Sequence, residues 1–209
     1  MRDTSMGLKR QPTQQRSLER IESILDAAAG EITETGYSDL SVLKTAARAG
    51  ITPTSIYHYF SSLEAILITL MRRSTEDFGN QLIERIRTLS SAQELIECFV
   101  EGLQLGWHEF HSNRTFSGLW AASHQMVGLR RVDDELKTGL FKAFSQRARE
   151  LVTSADHAAT ESALFLGLYL STPLFERLLL IPVEQQQEHL LNTYIELHKT
   201  RLADLLQPR

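Results

Sequence analysis

The chain has 209 residues, of which 42% are apolar and 23% are charged, a composition typical of a folded globular protein rather than a disordered one. Its single cysteine excludes an internal disulfide framework and a multi-cysteine zinc site. The net charge is −4, and residues 1–66 carry seven Lys or Arg against eight Asp or Glu, so a nucleic-acid-binding surface would depend on local placement of cations. The chain lacks both an apolar run of about 18 residues and a signal-peptide pattern, so we expect a cytoplasmic protein with no membrane partner.

Apolar residues recur with the period of an α-helix along the chain, and no segment has the convincing pattern of a β-strand. The first apolar stripe predicts a helix that ends at Gly36. Ser41 is placed to cap a second helix through Arg48, and Ser61 or Ser62 is placed to cap a fourth. The pattern predicts an all-α fold of about nine helices. The first stripe consists of Ile21, Ile24, Leu25, Ala28 and Ile32.

The stretch "AGITPTSIYHYF", residues 49–60, interrupts the helical pattern and restarts it. Gly50 stands where a helix can end in a left-handed residue, and Thr52 can cap a short third helix. Two helices joined by about four residues have the arrangement of a helix-turn-helix. Ile56 and Phe60 are four residues apart, so they would face inward together and anchor the third helix.

The other side chains of this short helix would face outward and could contact DNA. Short polar groups can reach base edges, while a tyrosine and a histidine can hydrogen-bond phosphate oxygens. An ordinary corner between two helices, with its tyrosines packed on neighbouring helices, explains the same spacing. The outward set is Thr52, Pro53, Thr54, Ser55, Tyr57 and His58.

Residues 21–67, which include "ILDAAAGEITETGYSDLSVLKTAARAGITPTSIYHYFSSLEAIL", resemble the DNA-binding domain of TetR-family transcriptional repressors. The shared landmarks are an alanine-rich first helix, "GY" before a capped second helix, "A-x-x-A-G-[IV]-[ST]" and "[LI]-Y-x-[YH]-F-x-x-x-[ED]". The resemblance implies that Ser41 and Val42 lie at the DNA backbone with Lys44 nearby. It implies base contacts from the segment that begins at Thr52, and phosphate or base contacts from its two outward aromatic residues. Tyr59 stays open between a backbone contact and packing.

This chain departs from the family pattern at two positions that commonly carry a cation. Leu63 stands where a phosphate-contacting Lys is common, and Leu43 where Arg is common. Two missing cations would lower the salt dependence of DNA binding by up to about two units of slope. Candidate replacements are Lys44, Arg48, Lys9, Arg10 and Arg16. The arm that carries Arg2, Lys9 and Arg10 could reach a minor groove or the flanking backbone, or could simply be disordered.

The C-terminal part of the sequence predicts longer helices. One is expected to begin at Asp133 or Asp134, as favourable helix-start charges, and to run through Leu151. Two final helices are expected at about 157–181 and 183–206. The run "SALFLGLYLSTPLFERLLLIP" is apolar around nearly all of its circumference, which favours burial against a second copy of the chain. The resemblance likewise implies a homodimer through the last two helices.

The resemblance also implies a small-molecule effector pocket in the C-terminal part. Such a pocket needs an aromatic and aliphatic lining with few polar groups, which here suggests a largely apolar effector. Its one polar group could meet His124 or Gln125. The same aromatic residues could instead serve only to fill a core. The candidates are Trp107, Phe110, Phe116, Trp120, His124, Met126 and Tyr169.

Two other classes of function stay open. The first is an interaction protein with the same fold whose DNA contacts have lapsed, as Leu43 and Leu63 suggest. The second is a helical metal-dependent enzyme, because His108 and His111 are spaced to bind a metal on one helix face. The chain has no G-x-S-x-G elbow, phosphate-binding glycine loop or H-E-x-x-H motif, so we expect no enzyme, no cofactor and no metal.

We therefore interpret the chain as a ligand-responsive transcriptional regulator, and more specifically a repressor. It would bind a palindromic operator in double-stranded DNA as a homodimer and would be released by a small effector. We expect a flexible N-terminal arm over residues 1–15 and a helix-turn-helix DNA-binding domain over residues 16–65. A larger effector-binding and dimerisation domain is expected over residues 66–209.

Overall fold

The computed structural model describes residues 15–153 and 155–207, and in these ranges the chain forms ten α-helices, one short 3₁₀ helix and no β-strand. The all-α prediction is confirmed. The α-helices are α1 (Gln15–Thr35), α2 (Val42–Arg48), α3 (Pro53–Tyr59), α4 (Leu63–Thr88), α5 (Ala92–Ser112), α6 (Arg114–Ser123), α7 (Val127–Leu151), α8 (His157–Tyr169), α9 (Ser171–Leu179) and α10 (Glu184–Leu205), and the 3₁₀ helix is Tyr37–Asp39.

The helices form two compact units. The first unit comprises the chain up to Glu76 together with Asn113–Asp134, and the second comprises Asp77–Ser112 together with the chain from Glu135 onward. Helices α4 and α7 contribute residues to both units. None of the helices in the described ranges has the length and apolar character needed to cross a membrane.

Helix α1 is the centre of the first unit and packs against α2, α6 and the 3₁₀ helix. Its predicted apolar stripe is buried, because residues at this spacing share one helix face. Gly118 of α6 allows a close approach to α1, since a Cβ at this position would lie 2.5 Å from Ile32 Cγ2. The Thr115 hydroxyl donates a hydrogen bond of 3.1 Å to the Ala29 carbonyl, which fixes the register of the two helices.

The prediction that Asp133 or Asp134 begins a helix is wrong, because α7 begins at Val127 and both aspartates lie inside it. The amide of Gly128 in the first turn of α7 donates a hydrogen bond of 3.2 Å to Glu64 Oε1 in the first turn of α4. A carboxylate at a helix N-terminus satisfies a free amide and interacts favourably with the helix dipole. This partner comes from a distant part of the chain, so no local capping signal marks the start of α7.

In the second unit, α10 packs against α5, α8 and α9. The predicted helix over 157–181 is two helices, since α8 ends at Tyr169 and α9 begins at Ser171. Pro173 is the third residue of α9, and its ring nitrogen has no hydrogen to donate to a preceding helical turn. The final helix agrees closely with its predicted range.

Candidate nucleic-acid interface

Helix α2 begins where the sequence predicts it. Ser41 adopts extended backbone angles, and its hydroxyl accepts a hydrogen bond of 3.2 Å from the Lys44 amide. Substitution of such an N-cap by Ala costs about 1 kcal/mol. Thr45 and Ala46 are buried on the inner face of α2, while Val42 is half-buried and the Lys44 side chain is exposed. The start of α2 therefore carries the free backbone amides of a helix N-terminus and one exposed ammonium group, that of Lys44.

The turn after α2 depends on a glycine. Gly50 has a φ of 64°, in the left-handed region that other residues rarely adopt. Its amide bonds to the Ala47 carbonyl at 3.2 Å, and the Ile51 amide bonds to the Ala46 carbonyl at 3.0 Å. These bonds use the free carbonyls at the end of α2 and turn the chain into α3.

Helix α3 has the predicted cap and the predicted inner face. The Thr52 hydroxyl accepts a hydrogen bond of 3.3 Å from the Ser55 amide, and Pro53 occupies the first helical position. Ile56 and Phe60 are fully buried, so the inward anchor is confirmed. The seven-residue helix is therefore held by two large apolar side chains and one cap.

The remaining side chains of this segment form what we call the α3 surface, defined as residues 52–55 and 57–59. Thr52, Thr54 and His58 are exposed, and 46% of the Tyr57 side chain is exposed. Pro53 and Ser55 are half-buried. The structure thus brings the predicted outward residues together on one short helix.

Tyr59, whose role the sequence leaves open, is half-buried. Its ring meets the His58 ring edge to face, with 5.2 Å between the ring centroids. Such a contact restricts the orientation of the histidine beside it.

Few cations lie beside the α3 surface. Lys44 forms no ion pair with any residue in the described ranges, whereas Arg48, a candidate replacement cation, is bonded to Glu34 through both terminal nitrogens. Leu43 is 69% exposed, and Leu63 is half-buried at the start of α4. Arg16 is exposed on α1. The arm residues Arg2, Lys9 and Arg10 lie outside the described residues.

Three candidate effector contacts lie in the second unit. Phe110 is buried against Phe175, with ring centroids 5.9 Å apart, and Trp107 meets the same ring at 5.6 Å. Tyr169 is half-buried, its hydroxyl lies 3.0 Å from the Thr138 hydroxyl, and its ring stacks on Phe165.

The other four candidates lie in the first unit. Trp120 is buried and its ring meets that of Phe116 at 5.7 Å. Met126 is half-buried, and His124 is exposed at the end of α6. Gln125, considered as an effector contact, instead donates a hydrogen bond of 3.1 Å to the Tyr37 hydroxyl within the first unit.

The histidine pair does not gather further metal ligands. His108 is exposed, and the His111 ring stacks on Trp107 with centroids 5.2 Å apart. Among the residues that the structure describes, no group of three His, Cys, Asp or Glu side chains could hold a metal ion.

The sequence does not predict two hydrogen bonds of the first unit, the Glu64 bond to α7 and the Arg48 bond to α1. Glu64 occupies the acidic position of the quoted motif, which marks the residue without identifying its partner. Gly30 inside α1 was a second signal, because a glycine in a helix interior usually has a packing reason.

A capped α2, a left-handed glycine turn and a short anchored α3 define a helix-turn-helix DNA-binding protein of the all-α class. Residues 24–70 match the family model of bacterial regulatory proteins, tetR family. This match identifies a DNA-binding domain of the TetR type in that part of the chain.

Individual relatives agree with this assignment. The chain is 38% identical over 71 residues to the fatty acid metabolism regulator protein of Bacillus subtilis (strain 168), which covers 34% of this chain and 37% of that protein. It is 28% identical over 166 residues to the HTH-type transcriptional regulator BetI of Proteus mirabilis (strain HI4320), which covers 75% of this chain and 82% of that protein.

The fold is shared with FadR from Bacillus subtilis in complex with stearoyl-CoA. The TM-score is 0.61 at 21% sequence identity, and the match covers 86% of this chain and 98% of that chain. Regulators of this family bind DNA and small molecules and form dimers. The relatives named here are regulatory proteins rather than enzymes.

Proposed function

We propose that this regulator is a repressor that binds a palindromic operator as a homodimer and is released by a small, largely apolar effector. The observation that carries the proposal is the α3 surface, where exposed polar and aromatic side chains stand on a helix anchored by Ile56 and Phe60. In this proposal residues 16–65 bind DNA and residues 66–209 bind the effector and form the dimer. The protein acts in the cytoplasm, where the bacterial chromosome lies.

Helix α3 enters the major groove, which has the width to admit one α-helix. Thr52, Pro53, Thr54 and Ser55 approach base edges, and Tyr57 and His58 contact bases or phosphate oxygens. Ser41, Val42 and Lys44 lie at the DNA backbone, where the amides at the start of α2 can bind a phosphate. Tyr59 restricts the orientation of the His58 ring through their edge-to-face contact.

A second copy of the chain covers the apolar residues that α8 and α10 leave exposed. The exposed apolar residues are Phe165 and Leu166 on α8, Leu170 directly after α8, and Leu190 and Leu197 on α10. Several exposed apolar residues on two helices that pack together are typical of a homodimer interface. Two copies related by a two-fold axis present two α3 helices to successive major grooves.

The effector binds among aromatic side chains and shifts the dimer towards a spacing of the two α3 helices that fits the operator less well. Each unit has one supporting group of rings, the Phe116–Trp120 pair in the first unit and the Trp107–Phe110–Phe175 cluster in the second. The stearoyl-CoA complex of the Bacillus subtilis FadR is consistent with a largely apolar effector. Effector and DNA affinities are then coupled reciprocally.

One observation favours a second candidate, an interaction protein of the same fold with lapsed DNA contacts. Leu43 is 69% exposed at a position where the family commonly carries Arg, and an exposed leucine suits a protein surface better than a phosphate. This candidate requires that Tyr57 and His58 have no role in activity.

Fluorescence anisotropy separates the two candidates. The labelled DNA comes from upstream of the protein's own gene, and a scrambled sequence serves as the comparison. We expect specific binding that weakens as salt rises, and about 5-fold to 100-fold weaker binding for Tyr57→Ala, as for the loss of one base or phosphate contact. Gln104→Ala, an exposed change on α5 in the second unit, should leave affinity unchanged.

Equal binding to both DNAs with no effect of Tyr57→Ala would contradict the proposal for that DNA. A selection of preferred sequences from a broad DNA pool then distinguishes the two candidates. The same selection is repeated with the double variant Leu43→Arg/Leu63→Lys. If no preferred sequence emerges even with both cations, the interaction-protein candidate replaces the repressor.

A further inference from the structure

Arg48, the last residue of α2, reaches across to α1 and binds a glutamate there through both terminal nitrogens. Its Nη1 donates to Glu34 Oε2 at 2.7 Å and its Nη2 donates to Glu34 Oε1 at 2.6 Å. A second carboxylate, that of Glu31, lies 3.6 Å from Nη1 and is only 15% exposed. The hydrogen bond from Arg48 lowers the pKa of the Glu34 carboxyl, so the pair stays charged well below neutral pH.

The path of this side chain depends on Gly30. A Cβ at this position would lie 2.6 Å from the guanidinium carbon and from two of its nitrogens. Any larger residue would therefore push Arg48 away from α1. A glycine in a helix interior is less favourable than alanine, so its presence here has a specific steric reason.

The Arg48–Glu34 bond lies where it can influence the position of α3. Arg48 is followed directly by the turn through Gly50 that leads into α3. A bidentate guanidinium–carboxylate pair fixes both the separation and the plane of its partners, unlike a single-point contact. The cation also lies at the C-terminal end of α2, where the helix dipole favours positive charge.

We propose that Arg48, Glu34 and Gly30 form a clamp that holds the end of α2 on α1 and thereby sets the orientation of α3 towards DNA. Arg48 is a positioning residue in this proposal and makes no phosphate contact of its own. The inference rests on the proposed DNA-binding function and assigns Arg48 a role different from that of a replacement cation.

The two roles of Arg48 predict opposite effects of Glu34→Gln in the full-length protein. If Arg48 binds phosphate, removal of the acidic partner frees the cation and removes a repulsive charge, so DNA affinity rises. If the clamp orients α3, the same change weakens the bidentate bond and affinity falls between about twofold and fivefold. Glu19→Gln, an exposed acid on α1 outside the clamp, is the charge-matched control and should not lower affinity.

Salt dependence provides a second, independent readout. Arg48→Gln should lower affinity at every salt concentration and leave the slope of log affinity against log salt unchanged, whereas loss of a phosphate contact lowers that slope by about 0.9. Gly30→Ala keeps every charge and should reproduce the loss of affinity. The effects of Glu34→Gln and Arg48→Gln should not add in the double variant, because either change alone opens the clamp.

Amide hydrogen exchange tests the clamp in the absence of DNA. A missing clamp can therefore be distinguished from a failure of the proposed DNA-binding function. The amides of Ile51 and Ile56 should exchange faster in Glu34→Gln and Gly30→Ala than in the wild type and in Glu19→Gln. Unchanged exchange and unchanged affinity in both clamp variants, while Tyr57→Ala still weakens specific binding, would overturn the clamp and leave the repressor intact. Faster exchange in the two clamp variants, combined with a wild type that binds no DNA sequence, would retain the structural clamp but overturn its role in recognition.

Discussion

Single residues beside the α3 surface determine how strongly it can attract a phosphate backbone. Lys44 is exposed there, whereas Arg48 is bonded to Glu34 and Leu43 presents an apolar side chain. Each phosphate neutralised by a cation contributes about 0.9 to the slope of log affinity against log salt. In the proposed complex with DNA, a surface with few cations therefore relies on hydrogen bonds from neutral groups such as Tyr57 and the backbone amides of α2.

Leu63→Lys should strengthen DNA binding and steepen its salt dependence by about 0.9 units of slope, because the resemblance to TetR-family repressors implies a phosphate contact at this position. Anisotropy titrations at several salt concentrations measure both quantities. Gln104→Lys adds the same charge on α5 and should change neither by more than a small amount. Equal effects of the two lysines would indicate a long-range effect of net charge rather than a phosphate contact at position 63.

At the scale of helices, two glycines differ in how closely their neighbours approach. A Cβ at position 167 in α8 would lie 2.6 Å from Phe99 Cζ and 2.8 Å from His198 Cδ2, and Phe99 is fully buried. The Tyr194 hydroxyl also donates a hydrogen bond of 2.7 Å to the Gly167 carbonyl. By contrast, a Cβ at Gly139 in α7 would meet Ile83 Cδ1 at 3.4 Å, an ordinary contact.

Alanine should therefore have opposite effects at these two glycines. Gly167→Ala should lower the free energy of unfolding by about 1–3 kcal/mol, because the ring of Phe99 cannot yield without strain. Gly139→Ala should raise it by about 0.5–1 kcal/mol, because alanine is the better helix former and has space. Urea unfolding followed by circular dichroism measures both. A stabilising Gly167→Ala would show that α8 and its neighbours can separate freely.

At the scale of the whole molecule, the exposed apolar residues of α8 and α10 form the surface through which we propose that two copies of the chain pair. Leu197 is 66% exposed near the middle of the outer face of α10. Exposed leucines are individually common, but several on adjacent helices form a patch of the kind that marks a protein interface. In the proposed dimer this patch also sets the spacing of the two α3 helices.

Leu197→Glu should convert the dimer into a monomer, since a buried unpaired carboxylate at the interface is unfavourable. Analytical ultracentrifugation measures the molecular mass, and anisotropy should show loss of the tight binding that a palindrome allows. Leu105→Glu introduces the same charge at a leucine of α5 that is 49% exposed, and it should leave the dimer intact. A monomeric wild type would refute the dimer, as would a Leu197→Glu variant that stays dimeric.

The parts of the fold that could be predicted are those whose signals lie within a few residues of the feature. Ser41, Gly50 and Thr52 each act on backbone groups no more than four positions away, so α2, the turn and α3 follow directly from the sequence. The start of α7 could not be predicted, because Gly128 is bonded to a glutamate 64 positions earlier. The proposed DNA and effector contacts remain predictions.

The sequence by itself determined the all-α fold and the helix-turn-helix, because helical periodicity, caps and a left-handed glycine act locally. It also carries the resemblance of residues 24–70 to a TetR-type DNA-binding domain, because the motif preserves these local signals in order. Only the tertiary structure decided which partners the longer side chains choose. Arg48 turned to Glu34 rather than towards solvent, and Gln125 turned to Tyr37, because their helices bring these groups within hydrogen-bonding distance across the first unit.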